Sequence, residues 1–229
     1  NFGCPVKTAI GGCRGGYHLG QPDIALEIVS RVREAVPIEI PVTLKMRRGI
    51  DDSDQSRDLF YRILDGAFAR SVAAITVHGR TVEQKYIGPS NWDFLREVKQ
   101  HAGSRTIIGS GDAFTAQACL DMLAYTGVDG VSAARGAIGN PWIFEQARAL
   151  ADGRPLPVPD LNEQRRVMQM HCDLCEQLLG ETAACSSLRM HSIKYAKLHP
   201  QYTDVRNAFA KCRSLAEWRG VLDQWYLVR

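Results

Sequence analysis

The sequence has no long hydrophobic run, no cysteine framework and no low-complexity segment, and each absence excludes a class of protein. No apolar stretch approaches the roughly 20 residues of a membrane-spanning helix, so no membrane association is expected. The seven cysteines are odd in number and scattered, which is typical of reduced thiols in a cytoplasmic protein rather than of disulfides. Charged residues make up an ordinary 23% of the chain, which argues against global disorder.

What is present favours a folded protein of one or two domains. The 229 residues are 45% hydrophobic, enough to bury a real core. The net charge of +3 indicates little about partners by itself, and the distribution of the charges matters more.

The first 150 residues alternate short apolar runs with amphipathic stretches. Helices are predicted from Gln21-Pro22-Asp23, with Ile24, Ile28, Val29, Val32 and Val36 as the apolar stripe, and after Thr115, which is placed to cap the next one. Strands are predicted at 41–46, 72–77, 106–108 and 128–132. The alternation predicts a parallel sheet with right-handed crossovers.

The predicted fold class is α/β, a partial TIM-type (β/α) barrel of about four units followed by a small all-α domain. A closed barrel needs eight units and about 250 residues, whereas only four units are visible here. Asn1 already lies where a strand would end, so we expect the chain to lack the N-terminal part of the barrel. A self-contained four-stranded open sheet is the alternative.

A proline-rich stretch marks the predicted domain boundary. Residues 1–152 would form the barrel portion, 153–161 a linker and 162–229 a helical domain. Beyond the linker the β-branched alternation disappears, and long helical patterns take its place. The first of these runs through Val167, Met170, Leu174, Leu178 and Leu179.

Polar clusters follow the apolar runs in order, where parallel strands would end. Side chains at such positions converge on one face of a β/α barrel, where these enzymes keep their chemistry. The clusters are Asn1-Phe-Gly-Cys-Pro5, Lys45-Met-Arg47, His78-Gly-Arg80, Gly109-Ser-Gly-Asp112 and Ala134-Arg-Gly136.

Taken together, these motifs resemble those of the tRNA-dihydrouridine synthases over nearly the whole chain. The resemblance also includes Val42–Arg47, Thr76–Thr81 and Ala134–Phe144. It implies an enzyme that uses FMN, recharged by NADPH, to reduce the C5–C6 double bond of particular uridines in tRNA. A cytoplasmic enzyme with tRNA as its partner, and with no stable protein partner, is therefore expected.

The resemblance implies a role for each residue of the first clusters. Cys4 would be the general acid that protonates the uracil, although a lone cysteine can also be a buried structural residue. Asn1 would hydrogen-bond the edge of the extruded base, since an amide offers both a donor and an acceptor. His78 would lie at the flavin, and Arg80 would reach towards the cofactor or the nucleotide.

Lys45 lies on an otherwise apolar strand, where a cation needs an anionic partner. A cation near the N1–C2 carbonyl region stabilises reduced FMN, so Lys45 is predicted to bind the cofactor. A lysine that snorkels from a strand end is the alternative.

Two glycine-containing turns are predicted to hold the cofactor phosphate with backbone N–H groups and one arginine. The predicted cofactor residues there are Ser110, Gly111, Asp112, Ala134 and Arg135. The family more commonly has Asn at the position of Ser110 and Gly at that of Ala134, so backbone contacts are the firmer expectation.

No metal site is predicted. Cys13 and His18 lie in the segment Ile10–Gly20, which departs from the usual family pattern and is interpreted as a flexible catalytic loop. His171, Cys172 and Cys175 are close in sequence, but a zinc site usually has a turn between paired cysteines. Small apolar packing positions are therefore expected for these cysteines.

The helical tail has a charge bias between Ser186 and Arg213. Between these two residues the only acidic residue is Asp204. The basic residues of the same segment are Arg189, Lys194, Lys197, Arg206, Lys211 and Arg213. Histidines and tyrosines are interleaved, a composition suited to contacting phosphates and stacking on bases. Arg189, Lys194 and Lys197 are predicted to bind the tRNA substrate, and a merely solvated helical face is the alternative.

Two other functions stay open at this point. One is another FMN barrel reductase that acts on a free pyrimidine or an enone, which the basic tail argues against. The other is a catalytically inactive RNA-binding remnant, since the part of the barrel that is not visible here would normally contact the flavin ring.

Overall fold

The computed structural model describes residues 1–227, which form two compact units. One unit comprises Asn1–Ala134 and the other begins at Arg135. Among the helices of residues 1–227, none is both long enough and apolar enough to cross a membrane.

The first unit is built on a parallel sheet of four strands in the order of the chain. The strands are β1 (Thr43–Arg47), β2 (Ala74–His78), β3 (Thr106–Ser110) and β4 (Gly130–Ser132). All four predicted strands are confirmed, each with its bounds within two residues of the prediction. Sequential order with a helical crossover after each strand is the arrangement of part of a β/α barrel.

Helices precede and separate these strands. They are α1 (Lys7–Gly11), a 3₁₀ helix (Gly15–Gly20), α2 (Pro22–Ala35), α3 (Asp54–Ala69), α4 (Trp92–Ala102) and α5 (Ala116–Thr126). The predicted cap at Thr115 is confirmed, because its hydroxyl accepts a hydrogen bond from the Ala118 N–H at 3.1 Å. Ser53 and Asn91 cap α3 and α4 in the same way.

One face of the sheet packs against the helices and forms the core of this unit. Met46, Ile75, Val77 and Ile107 alternate along their strands and are fully buried. Because side chains alternate between the two faces of a strand, the residues between them face the other side and are less buried.

The predicted apolar stripe of α2 is only partly right. Val29 is buried as predicted, but Ile24 and Val32 are exposed and the helix buries Leu26. The cause lies in α3, where a Cβ at Gly66 would be only 2.6 Å from Leu26 Cδ1. The missing side chain of Gly66 makes room for Leu26, and this selects the packed face of α2.

The second unit consists of helices. They are the short α6 (Ala134–Ala137), which starts at the unit boundary, then α7 (Ile143–Ala151), α8 (Leu161–Leu179), α9 (Glu181–Tyr195), a 3₁₀ turn (Ala196–Leu198), α10 (Tyr202–Lys211) and α11 (Leu215–Trp225). The predicted all-helical C-terminal region is confirmed. Its core contains Leu188, Phe209, Leu215, Trp218 and Tyr226, all buried.

The proline-rich segment belongs to this second unit and is tied to it by two buried glutamines. The Gln146 side-chain amide donates to the Pro157 carbonyl at 3.0 Å, and that of Gln164 donates to the Pro159 carbonyl at 2.8 Å. These bonds hold the segment in one path between α7 and α8.

The buried face of α8 also differs from the apolar pattern of the sequence. Met170, Leu174, Leu178 and Leu179 are exposed. The helix buries Met168 and Cys172 instead, and the expectation that Cys172 is a packing position is confirmed.

Candidate active site

The carboxyl ends of the strands bring the predicted site residues of the first unit to one edge of the sheet. The register aligns Arg47 with His78, His78 with Ser110, and Ser110 with Ser132. Phe2 forms a parallel bridge with Met46, and its N–H donates to the Lys45 carbonyl at 2.7 Å. The first residues of the chain therefore run beside the end of β1.

Cys4 is a half-buried free thiol held by the segment that follows it. The Gly16 N–H donates to the Cys4 carbonyl at 3.0 Å. Gly15 has a φ of +61°, and a Cβ there would lie 2.7 Å from the Cys4 Cβ. Only glycine fits this close approach, so the turn at Gly15 packs directly on Cys4. The flexibility expected of Ile10–Gly20 stays a prediction.

Asn1 and His18 contact the residues that lead to Cys4. The Asn1 side-chain carbonyl accepts a hydrogen bond from the Gly3 N–H at 3.0 Å. The His18 ring packs on Phe2 with 5.0 Å between centroids, and burial lowers its pKa. Within residues 1–227, no group of three or more His, Cys, Asp or Glu residues is arranged to hold a metal ion.

Lys45 lies on the face of the sheet that does not pack against the helices. It shares a row with Thr76 and Ile108, all three half-buried. Within the described part of the chain, its ammonium group makes no hydrogen bond or ion pair. Burial, and secondly the charge of Arg47, lowers the pKa of Lys45. The site therefore holds a desolvated cation that no anion of residues 1–227 neutralises.

Arg47 connects the Cys4 segment to the loop after β2, a role that the sequence analysis missed. Its Nε donates to the Gly3 carbonyl at 2.9 Å, and its Nη1 donates to the carbonyls of Thr81 and Lys85 at 2.8 Å each. The guanidinium also lies 5.6 Å from the centre of the Tyr86 ring. Arg47 thus fixes the residue before Cys4 against the residue before Tyr86.

His78 is the last residue of β2, and it contacts Arg80 in the loop that follows. The His78 Nδ1 accepts a hydrogen bond from the Arg80 backbone N–H at 3.2 Å. The Arg80 side chain is buried and forms an ion pair with Asp112 at 2.7 Å. The structure therefore pairs Arg80, which was predicted to reach the cofactor or the nucleotide, with Asp112, which was predicted to bind the cofactor.

Ser110, Gly111 and Asp112 form a bend at the end of β3. Ser110 is buried, and its carbonyl accepts a hydrogen bond from the Ser90 hydroxyl at 3.5 Å. The Trp92 indole N–H donates to the Gly111 carbonyl at 3.1 Å. The loop after β2 thus closes on this bend.

Ala134 and Arg135 are exposed residues of α6, directly after β4. Arg135 is the first residue of the second unit. Their predicted contact with a phosphate rests on their position in the sequence and on the resemblance.

The predicted tRNA-binding residues belong to the second unit. Lys194 and Lys197 are exposed and Arg189 is half-buried, at α9 and the 3₁₀ turn that follows it. The other basic residues between Ser186 and Arg213, namely Arg206, Lys211 and Arg213, are exposed as well.

Comparison with known proteins identifies the family. The model of the family described as "Dihydrouridine synthase (Dus)" matches residues 1–227. The chain is 33% identical over 219 residues to a probable tRNA-dihydrouridine synthase of Mycobacterium leprae, covering 95% of this chain and 56% of the relative. It is 35% identical over 207 residues both to a probable tRNA-dihydrouridine synthase of Rickettsia prowazekii and to tRNA-dihydrouridine synthase B of Xanthomonas campestris, covering 90% of this chain and 62% and 60% of those relatives.

The chain spans about three fifths of the length of these relatives. Its four parallel strands with helical crossovers agree with a TIM-barrel family, and its motifs fall at the carboxyl edge of that sheet. The matched residues 1–227 include every strand and helix described above, so the chain belongs to the dihydrouridine synthase family.

Proposed function

We propose that this protein acts in the FMN- and NADPH-dependent reduction of the C5–C6 double bond of specific uridines in tRNA, with Cys4 as the proton donor. The observation that carries the proposal is that the segment bearing Cys4 runs beside β1, the strand that bears Lys45. The Phe2–Lys45 hydrogen bond brings the thiol segment alongside the strand that bears the cation.

The residues at this edge fit an FMN group. Lys45 is a half-buried cation without an anion among residues 1–227, and the negative charge near N1 and the C2 carbonyl of reduced flavin would supply one. Lys45 and His78 would contact the ring system. Ser110, Gly111 and Ala134 would lie near the phosphate, with Arg135 following Ala134 in the chain. When bound, FMN supplies hydride transfer to C6 of the uracil, and NADPH restores its reduced form.

The residues of the chain complete the reaction by holding the base and moving one proton. The Cys4 Sγ–H donates its proton to C5 of the uracil, so that one hydride and one proton add across the double bond. Arg47 keeps the Cys4 segment in place through the Gly3 carbonyl. Asn1 lies beside Gly3 and would bind the polar edge of the base. Arg80 was predicted to reach the nucleotide, and its ion pair with Asp112 suggests a different role, developed below.

The tRNA would dock on the basic surface of the second unit. Arg189, Lys194 and Lys197 would contact phosphates, a contribution that weakens with added salt. The target uridine has to leave its stack to reach Cys4, as other base-modifying enzymes require.

The proposal is tested first by the visible absorption spectrum of the purified protein before and after addition of FMN. A bound-flavin spectrum that NADPH bleaches and unmodified tRNA restores is the expected result. If the protein binds no flavin, the flavoenzyme function is wrong. If NADPH bleaches the flavin but tRNA restores nothing while a free pyrimidine or an enone does, a different FMN reductase is favoured.

The role of Cys4 is tested with the variant Cys4→Ala. We expect dihydrouridine formation in tRNA to fall by about 100-fold or more, since general acid catalysis contributes 10²–10⁴-fold. FMN binding and bleaching by NADPH should persist. Cys13→Ala removes an exposed thiol from the same segment and should keep full activity. Equal losses in both variants would contradict the assignment.

A further inference from the structure

The loop between β2 and α4, residues 79–91, is folded onto the bend at Gly111 and Asp112. The Arg80 Nη2 donates to both carboxylate oxygens of Asp112, at 2.7 and 2.8 Å. The Ser90 backbone N–H donates to the same carboxylate at 2.7 Å. Together with the Trp92 indole, these donors bind the bend from the loop side.

The charged groups of Arg80 and Asp112 form a partly buried ion pair. The Arg80 side chain is only 4% exposed and that of Asp112 is 24% exposed. Arg80 also donates from Nε and Nη2 to the Gly88 carbonyl, at 2.9 and 2.6 Å. Because a buried ion pair gains little net stability, such a pair is better explained by the geometry that it fixes.

The backbone of the bend needs such a restraint. Asp112 has a φ of +63°, in the left-handed region that residues other than glycine rarely adopt. Strained residues of this kind persist where surrounding contacts hold them. Three hydrogen bonds to the Asp112 carboxylate provide that hold, directly after the buried end of β3.

Arg80 also determines the protonation of His78. Its backbone N–H donates to His78 Nδ1, so the neutral ring carries its proton on Nε2. His78 is aligned with Ser110 in the sheet, beside the same bend. One residue therefore orients the histidine through its backbone and the bend through its side chain.

We propose that Arg80 and Asp112 are positioning residues that act as one ion pair rather than binding cofactor or RNA themselves. The pair fixes the bend at Gly111–Asp112 and holds the backbone of Arg80 where its N–H meets His78 Nδ1, which favours the Nε2–H tautomer of His78. The inference rests on the proposed function, because it treats this edge as an FMN site. It replaces the separate ligand contacts predicted for the two residues.

The proposal is tested with Arg80→Ala, Asp112→Asn and the double variant of the full protein. FMN affinity is measured by quenching of flavin fluorescence. We expect each single variant to bind FMN about ten-fold more weakly, and the double variant no more weakly than the singles, because the two residues share one interaction. Arg80→Lys should restore only part of the affinity, since an ammonium lacks the planar fork of arginine.

A second readout does not depend on the cofactor. The ¹⁵N resonances of the His78 ring report its tautomer, which should be Nε2–H in the native protein. Arg80→Ala keeps the backbone N–H that donates to His78 but loses the ion pair that holds this backbone in place, so the tautomer should become mixed. The matched control is the ion pair of Lys99 and Asp129, 2.8 Å apart, whose Asp129 also accepts from the Ile107 N–H at the opposite edge of the sheet. Lys99→Ala and Asp129→Asn should lower stability and leave the FMN affinity and the His78 signals unchanged.

Three outcomes would overturn the proposal. Additive losses in the double variant would mean that each residue contacts the ligand separately. Unchanged FMN affinity in Arg80→Ala would remove the positioning role. An unchanged His78 tautomer in Arg80→Ala would also remove the positioning role, and this readout does not need FMN. Absence of FMN binding in the native protein would instead contradict the proposed function.

Discussion

At the scale of the residue, replacing Lys45 should change stability and FMN affinity in opposite directions. A half-buried ammonium without an anion destabilises the cofactor-free protein, and the same feature suits it to an anionic ligand. Lys45→Met keeps the aliphatic bulk and removes the charge. We expect its free energy of unfolding, measured by urea denaturation without FMN, to rise by about 1 kcal/mol. Its affinity for FMN should fall by about ten-fold or more.

Two variants serve as controls for Lys45: one keeps the positive charge at this position, and the other removes the charge of a different lysine. Lys45→Arg keeps the cation and should retain most of the affinity for FMN. Lys7→Met removes an exposed lysine near Cys4 and should change neither quantity by much. A Lys45→Met variant that is less stable than the native protein would show that the ammonium is already well solvated.

The residues that sequence analysis found and missed differ in their partners. Cys4 and Lys45 could be singled out because Cys4 belongs to the first polar cluster and Lys45 is a cation on an otherwise apolar strand. Arg47 and Arg80 donate hydrogen bonds to backbone carbonyls, and Arg80 also pairs with the carboxylate of Asp112. No local sequence pattern predicts such partners. Both arginines lie within the predicted motifs, but their contacts follow from the fold of the loop after β2.

At the scale of the element, the turn between α6 and α7 depends on the space left by one glycine. Gly139 has a φ of +82°, and a Cβ there would lie 2.6 Å from the Lys194 Cβ and overlap its backbone. Gly139→Ala therefore combines an unfavourable backbone conformation with a clash against the end of α9. We expect it to lower the free energy of unfolding by about 2–4 kcal/mol in urea denaturation.

Gly153 provides a matched control for Gly139. Its φ is +66°, but a Cβ there would meet no atom within 4 Å. Gly153→Ala should therefore show only the backbone effect, about 1 kcal/mol. Equal losses for the two variants would mean that α9 shifts to accept the new methyl group.

The elements themselves could largely be predicted, whereas their packed faces could not. Apolar runs and caps located the strands and several helices, including the cap at Thr115. The buried side of α2 was predicted only in part, because the space left by Gly66 on a neighbouring helix admits Leu26, which is a tertiary effect. In α8 the apolar residues Leu174 and Leu178 are exposed, so periodicity alone named the wrong core positions.

At the scale of the whole molecule, the order of the motifs was more informative than any single motif. Clusters that follow successive strands must meet at one edge of a parallel sheet, which is why the placement of Cys4, Lys45 and His78 could be predicted. The linker at 153–161 stays a prediction. What the sequence could not indicate is that Gln146 and Gln164 donate to the carbonyls of this segment, because a glutamine on a helix gives no sign of its partner.

Both units contain a histidine whose ionisation opposes folding. Burial lowers the pKa of His18 in the first unit. In the second unit, burial and then the charge of His191 lower the pKa of His171, whose ring lies 5.2 Å from that of His191 and 6.1 Å from that of Tyr195. When the folded pKa is the lower one, the unfolded chain binds more protons, so stability falls as the pH drops through the ordinary histidine value of about 6.5.

The free energy of unfolding should therefore decrease between about pH 7.5 and about pH 5.5, before the carboxylates titrate. Tryptophan fluorescence reports chiefly the second unit, since Trp142, Trp218 and Trp225 lie there. His171→Phe keeps an aromatic ring and removes the proton-binding site, so it should flatten this dependence in urea denaturation followed by fluorescence. The control is His101→Phe, which replaces a histidine paired with Asp65 in the first unit. This variant should keep the pH dependence of the free energy of unfolding that fluorescence reports. An unchanged slope in His171→Phe would mean that the acid sensitivity arises elsewhere, and that His171 is protonated in the folded state without loss of packing.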